Sequence, residues 1–245
     1  MRIHVDIAMT MESKGRRFEL ASQFSFMEER LALFGPSGSG KSLTLHAIAG
    51  LLTPDNGVIR LNGDTLFDAN AGINLPARAR RVGFMFQDYA LFPHLSLRRN
   101  VTFGLTRWGR PISPAQAREV DEMLELFGLA EVQHNLPGQL SGGQKQRAAL
   151  ARILVLRPRI LLLDEPFSAL DAPLKAVMRA ELKRVLERFN IPLILVTHDP
   201  AEVDDFAQAV VLYRAGTVVG AWTRAEMAAA GQSLEACLAT AFQEE

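Results

Sequence analysis

The sequence predicts a single α/β domain on a mainly parallel sheet, with an antiparallel β subdomain and an inserted helical subdomain. Three observations carry this expectation. Short aliphatic runs at 31–34, 160–163 and 193–196 alternate with stretches of helical apolar spacing, the pattern of strands covered on both faces by crossover helices. A glycine-rich loop follows the first of these runs directly. A long helical texture, from 96 to 157, then interrupts the strand-rich part of the chain.

Taken in order, Ile3, Val5 and Ile7 alternate with His4 and Asp6 as an edge or half-exposed strand should. Residues 31–34 form a buried strand, and 35–40 the glycine-rich loop. Leu45, Ile48 and Ala49 give 41–49 the spacing of a helix, with Gly50 as its C-cap. Asn62-Gly63 joins two strand-like pieces within 58–67, a strong hairpin signal. Another strand lies within 80–87. In the helical block, Val120, Met123, Leu124 and Phe127 share one face, while Pro111 and Pro114 mark loops. This block, approximately 88–157, reads as an insertion between strands of the main sheet. A strand at 160–163, a helix at 174–189 and a strand at 193–196 follow. That helix carries Leu174, Val177, Met178, Leu182, Val185, Leu186 and Phe189 on one side. Residues 210–212 and 217–219 around Gly216 form a late hairpin. One domain, 1–245, accommodates all of this.

Composition narrows the function classes. With 48% hydrophobic and 22% charged residues in 245, a large buried core is expected and disorder is not. Lys plus Arg equals Asp plus Glu at 27 each, which argues against a duplex nucleic-acid partner, whose binding draws on a basic excess. The one cysteine, Cys237, excludes an intramolecular disulfide and reads as a small apolar residue. The first residues lack the apolar stretch of a signal peptide. No apolar run approaches the roughly 20 residues that span a bilayer, so any membrane role is expected to come through a partner.

The decisive motif is Gly35-Pro36-Ser37-Gly38-Ser39-Gly40-Lys41-Ser42, lying between a predicted strand and a predicted helix that continues through Leu43. Glycines let consecutive backbone N–H groups wrap phosphate oxygens, and the helix start aims its positive end at the same anion. Lys41 supplies charge to the terminal phosphates, and the Ser42 hydroxyl can ligate Mg²⁺. Alone, this cradle says nucleoside triphosphate and no more. Asp164-Glu165 closes the aliphatic run at 160–163. An acid there suits the Mg²⁺ shell, and the next acid can orient or deprotonate an attacking water. Ser141-Gly142-Gly143-Gln144 opens a further predicted helix as a capped, exposed N-terminus, a second anion site away from the first. Two such sites on one chain point to head-to-tail pairing of two copies across a nucleotide.

Together, 35–42, Gln87, 140–144, Asp164-Glu165, Ser168 to Asp171 and His198 resemble, in order, the Walker A, Q-loop, signature, Walker B, D-loop and switch histidine of ABC-transporter ATPases. The resemblance implies a P-loop NTPase core and a homodimer with each ATP between one copy's cradle and the other's signature segment. It implies that Gln87 links Mg²⁺ and the attacking water to a membrane partner, that His198 contacts the γ-phosphate, and that Asp171 joins the two sites across the interface. An aromatic near the start would stack on adenine, and Phe18 is the residue available in 9–18.

The stretch 88–105, with Leu91, Phe92, Pro93 and Leu95, is similar to the groove that receives a permease helix in bacterial importers of oxyanions, sugars, polyamines and ferric iron. The segments 66–68, 72–76, 80–83 and 86–88 are most similar to the molybdate-importer type. That type usually continues into an oxyanion-binding regulatory domain. This sequence stops at Glu245, so either that domain is lacking or only the ATPase part is present. The implied partners are an integral membrane permease and, indirectly, a solute-binding protein, with the chain peripheral on the cytoplasmic face of the inner membrane. The alternatives are the ATPase of another importer (sulfate, ferric iron, polyamine or sugar), an exporter subunit, a soluble ABC ATPase and a P-loop kinase. The short span between Gln87 and Leu140 and the single cassette weigh against the soluble type, and the signature segment against the kinase.

Overall fold

The computed structural model describes residues 1–13, 16–106, 111–168, 170–232 and 236–237. Its strands are β1 (Ile3–Ser13), β2 (Arg16–Phe26), β3 (Arg30–Phe34), β4 (Asn56–Leu61), β5 (Asp64–Asp68), β6 (Ile73–Asn74), β7 (Val82–Met85), β8 (Ile160–Asp164), β9 (Leu193–Thr197), β10 (Ala209–Arg214) and β11 (Thr217–Thr223). They form one sheet ordered β6-β5-β4-β1-β2-β11-β10-β3-β9-β8-β7. The half from β10 through β3, β9 and β8 to β7 is parallel, and the half from β6 to β2 is antiparallel. The halves meet at a narrow seam: Thr217 pairs with Ala21, and Ala21 N donates to Gly216 O at 2.8 Å.

The helices are α1 (Lys41–Ala49), α2 (Ala77–Arg80), α3 (Leu97–Thr102), α4 (Pro114–Leu126), α5 (Gly142–Leu154), α6 (Ala172–Phe189), α7 (Pro200–Phe206) and α8 (Arg224–Ala229). The strand β8 shows why its sequence is aliphatic at every position from 160 to 163. Ile160 and Leu162 enter the core that holds Leu45 and Ile48 of α1, whereas Leu161 and Leu163 enter the core shared with α5 and α6. The third cluster, beneath α7 and α8, includes Phe34, Val203, Met227 and the buried Cys237. Among the described residues no helix is long and apolar enough to cross a membrane.

Several expectations change. The strand at Ile3 to Ile7 is not an edge: β1 lies between β2 and β4, although only one face is buried, as its alternation predicts. The strand β2 was not foreseen, and Pro114 starts a helix rather than a loop. It occupies the first turn of α4, where a missing N–H costs nothing, behind a capping box of Ser113 and Gln116. Val177 leaves the apolar side of α6 and is 54% exposed, the buried positions being Met178, Leu182, Val185 and Leu186. The Asn62-Gly63 hairpin and the Gly50 cap of α1 form as expected. So does the insertion of helices between β7 and β8, with the last of them, α5, returning to the sheet as Ile153 packs over Gly83.

Candidate nucleotide site

The loop between β3 and α1 curls because Gly40, the residue before the helix, adopts φ 104°, a conformation that L side chains rarely tolerate. A Cβ at Gly40 would also stand 2.5 Å from Leu20 of β2. At the other end Gly35 lies against the backbone of β10, where a Cβ would meet the Tyr213 carbonyl at 2.4 Å. The β10–β11 hairpin braces the loop further, since Gly216 N donates to Ser39 O at 3.1 Å. Tyr213 Oη bonds Ser22 Oγ at 2.6 Å and donates to Thr44 Oγ1 at 3.2 Å. Burial pushes the Tyr213 phenol up to about 12, so it stays protonated and able to donate.

A cavity of about 410 Å³ opens over this loop, lined by Ser37, Gly38, Ser39, Gly40, Lys41, Ser42 and Leu43 together with Gln87, Glu165, Phe18 and Met11. Phe18, the aromatic expected near adenine, is thus on its wall. Gly35 and Pro36 do not line the cavity, and their carbonyls both accept from Lys41 Nζ at 2.7 Å. Burial lowers the Lys41 pKa, while Glu165 and Asp164 raise it. The Ser39 hydroxyl is buried in the wall without a hydrogen-bond partner, as an anion cradle would leave it.

Asp164, at the end of β8, accepts from Ser42 Oγ at 2.7 Å. Burial raises its pKa, opposed by the Ser42 hydrogen bond, His46 and Lys41. Glu165 follows with φ 45°, a left-handed conformation that turns the chain out of the sheet, and its Oε1 lies 3.6 Å from His198 Nδ1. Gln87 Nε2 donates to Ser168 Oγ at 3.1 Å, and Ser168 Oγ donates to Glu165 O at 3.0 Å. The Gln87 segment is therefore tied to the backbone of the acid. Hard oxygen donors at Ser42, Asp164 and Gln87 suit Mg²⁺, which takes few protein ligands and completes its shell with water and phosphate. Among the described residues no group of three His, Cys, Asp or Glu side chains forms a self-sufficient metal site.

The segment expected to form the second anion site is elsewhere. Ser141 caps α5, accepting from Gln144 N at 3.2 Å, while Gln144 Oε1 accepts from Ser141 N at 2.9 Å. Gly142 and Gly143 are close to Leu174 of α6. Asp171 caps that same helix, accepting from Leu174 N at 2.9 Å, and Ala169 lies outside the described residues. None of 141–144 lines the cavity over the phosphate loop.

Sequence reasoning missed three residues around this site. Arg152 of α5 donates to Tyr89 O and Ala90 O at 2.8 and 2.7 Å, fixing two consecutive left-handed residues just beyond Gln87. Asn100 staples the turn 92–96 through its amide. His46 sits one turn beyond Ser42 on α1, a spacing visible in the sequence, whereas Arg152 and Asn100 carry no motif. Of the predicted groove residues, Phe92 lines a cavity of about 700 Å³ with Phe84, Phe86, Phe103 and Leu156, rimmed by Arg78 and Arg81. Leu91 packs instead against the helical core.

The family described as ABC transporter matches residues 23–168. Over 188 residues the chain is 49% identical to the "Fe(3+) ions import ATP-binding protein FbpC 2" of Pectobacterium atrosepticum, covering 76% of this chain and 53% of that one. Over 208 residues it is 43% identical to the "Molybdate/tungstate import ATP-binding protein WtpC" of Archaeoglobus fulgidus, covering 85% and 83%. The chain spans about half the length of the first curated relatives it matches. A solved dimeric structure of the ATP-binding cassette MJ0796 bound to ADP and Pi superposes with a TM-score of 0.75 at 27% identity, covering 91% of this chain and 98% of that one. A phosphate loop, a capped Ser-Gly-Gly helix start and an acid pair, in this order and on this fold, agree with those matches: the chain belongs to the ABC transporter family.

Proposed function

We propose that the chain is an ATPase, the nucleotide-binding subunit of a membrane importer, working as a homodimer with ATP and Mg²⁺. The observation that carries this is the separation of its two anion-binding helix starts. The cavity over 37–43 gathers Lys41, Gln87 and Glu165, while Ser141 to Gln144 stands outside it. A second copy, placed head to tail, supplies the missing segment, and the dimeric cassette that superposes on this chain supports such pairing.

In this reading the phosphate loop and Lys41 bind the β- and γ-phosphates, and Ser42, Asp164 and Gln87 hold Mg²⁺, which offsets phosphate charge when bound. Glu165 accepts a proton from the attacking water, and His198, beside it, orients the γ-phosphate. Gln87 reports the state of the site to the groove over Phe84, Phe86 and Phe92, and Asp171 links the two copies. That groove, apolar with a basic rim, takes a helical segment of an integral membrane permease. The domain is 1–245 with the helical subdomain at about 88–157, held at the cytoplasmic face of the inner membrane and served indirectly by a solute-binding protein. The cargo class we assign is an oxyanion such as molybdate, supported by the molybdate/tungstate relative. The iron-transport relative makes ferric iron the reading to test against it.

The purified chain is expected to release phosphate from ATP when Mg²⁺ is present, and Glu165→Gln to slow this by about 10²–10⁴-fold while sparing ATP binding. Parent-rate turnover in that variant would overturn the assignment of the base. Reconstitution with the permease, followed by asking whether molybdate or ferric iron stimulates turnover, decides the cargo.

A further inference from the structure

The Ser42–Asp164 pair touches a third side chain that the proposed chemistry does not use. His46 points its Nε2 at the second oxygen of Asp164, Oδ2, from 3.7 Å, while Oδ1 accepts from Ser42. That nitrogen is buried and has no hydrogen-bond partner. Buried polar atoms are nearly always paired, and roughly 0.5 Å of movement brings this one within ordinary N···O range of the carboxylate. The imidazole is also part of an aromatic cluster. Its centroid lies 5.2 Å from Phe84 and 6.3 Å from Phe86, and those two rings are 4.6 Å apart. Both phenylalanines belong to the wall of the groove assigned to the permease.

We infer that His46 is a positioning residue joining the Ser42–Asp164 pair to the groove wall, so that a shift of the carboxylate is registered at Phe86 through side chains of α1 and β7. The inference deepens the proposed function and rests on it. The path differs from that of Gln87, whose amide reaches Ser168 and the backbone of Glu165. A histidine that merely filled space would need no polar atom aimed at the carboxylate. One that merely bonded the carboxylate would need no ring contact with the groove wall.

The test places 5-fluorotryptophan at position 86 (Phe86→Trp) in the full chain and follows its ¹⁹F resonance. Trp108 and Trp222 give the two resonances already present without that substitution. Adding ATP with Mg²⁺ is expected to shift the position-86 signal. His46→Phe keeps a ring and deletes the nitrogen, and His46→Gln keeps a polar tip and deletes the ring. Both are expected to lose the shift while binding a fluorescent ATP analogue with the parent's affinity. A shift that persists in either variant, or that is absent from a Phe86→Trp chain that does bind the analogue, overturns the coupling. Loss of analogue affinity together with the shift assigns His46 a structural role and also overturns it. Failure of the unsubstituted chain to bind the analogue would instead defeat the functional reading itself.

Discussion

Lys41 is folded back onto its own loop, with Nζ donating 2.7 Å to the carbonyl of Gly35. The same ammonium donates to Pro36 O, so the phosphate loop is held shut by the residue assigned to the terminal phosphates. Lys41→Ala removes both a loop clasp and a charge for the nucleotide. Hydrogen bonds to charged groups are worth about 1.5–3 kcal/mol, so ATP affinity is expected to fall about 10- to 100-fold. Titration with a fluorescent ATP analogue measures this, and unchanged affinity would remove the cradle from the mechanism.

Ser141 separates the binding of nucleotide from the pairing of copies. Its side chain closes a reciprocal capping box with Gln144, so Ser141→Arg forfeits about 1 kcal/mol of helix stability. In a chain of this size that lowers Tm by about 2–4 °C. The bulk and positive charge at an exposed helix start are expected to abolish ATP-dependent dimerisation in sedimentation velocity, with monomer affinity for ATP retained. Ser141→Ala is the control, because it loses the cap without adding the obstruction. Dimers of the arginine variant that form with ATP would count against the shared site.

What could be read beforehand follows from how local each signal is. The strands β3, β8 and β9 are legible because both faces are covered and each holds four consecutive apolar residues, 31–34, 160–163 and 193–196. The strand β2 escaped because its buried face runs Phe18, Leu20, Ser22, Phe24, Phe26. The serine breaks the apolar alternation, yet it is buried against the Tyr213 hydroxyl, 191 residues away in sequence. The phosphate loop is legible for the same reason as β8: its chemistry lies in one contiguous stretch. Relationships between distant stretches are not, whether Arg152 with Ala90 or Ser42 with Asp164. The motifs name the second pair and say nothing of the first. Val177 marks the opposite error, since helical spacing predicts a stripe but not how wide a stripe the neighbouring core covers.

Arg80 provides a stability test outside the site. It is fully buried, and its guanidinium donates to Ala47 O and Ile48 O at the end of α1, to Leu75 O and to Asn74 Oδ1. The cation thus sits at the negative end of the helix that carries Lys41 and Ser42. Burial lowers its pKa, but an arginine remains charged. Arg80→Met fills the volume and abandons several buried carbonyls, each unsatisfied acceptor costing about 1–3 kcal/mol. Equilibrium urea unfolding is expected to give a loss of about 2–4 kcal/mol, after partial rescue of those carbonyls by water. A loss below the scatter of exposed-site substitutions would mean that the carbonyls find other donors.

Glu202 makes stability depend on pH in a direction that can be worked out. It is buried behind His198, accepting from Thr197 Oγ1 at 2.6 Å, with Lys175 at 3.9 Å. Burial raises its pKa and Asp199 adds to that, while Thr197, Lys175 and His198 act the other way. A folded-state value above the unfolded one means that the native protein binds more protons between the two. The contribution to stability is therefore highest in acid and declines as pH rises through the raised value. Glu202→Gln keeps an acceptor for Thr197 and removes the ionisation. It is expected to be more stable than the parent at neutral pH, with the difference closing as pH falls below the ordinary carboxylate range. Urea unfolding of both proteins at a series of pH values isolates this group, because the other titrating groups cancel in the difference. If the glutamine variant were the weaker at neutral pH and drew level in acid, the attraction of Lys175 would outweigh the cost of burial. The ion pair would then be what holds the His198 loop against α6.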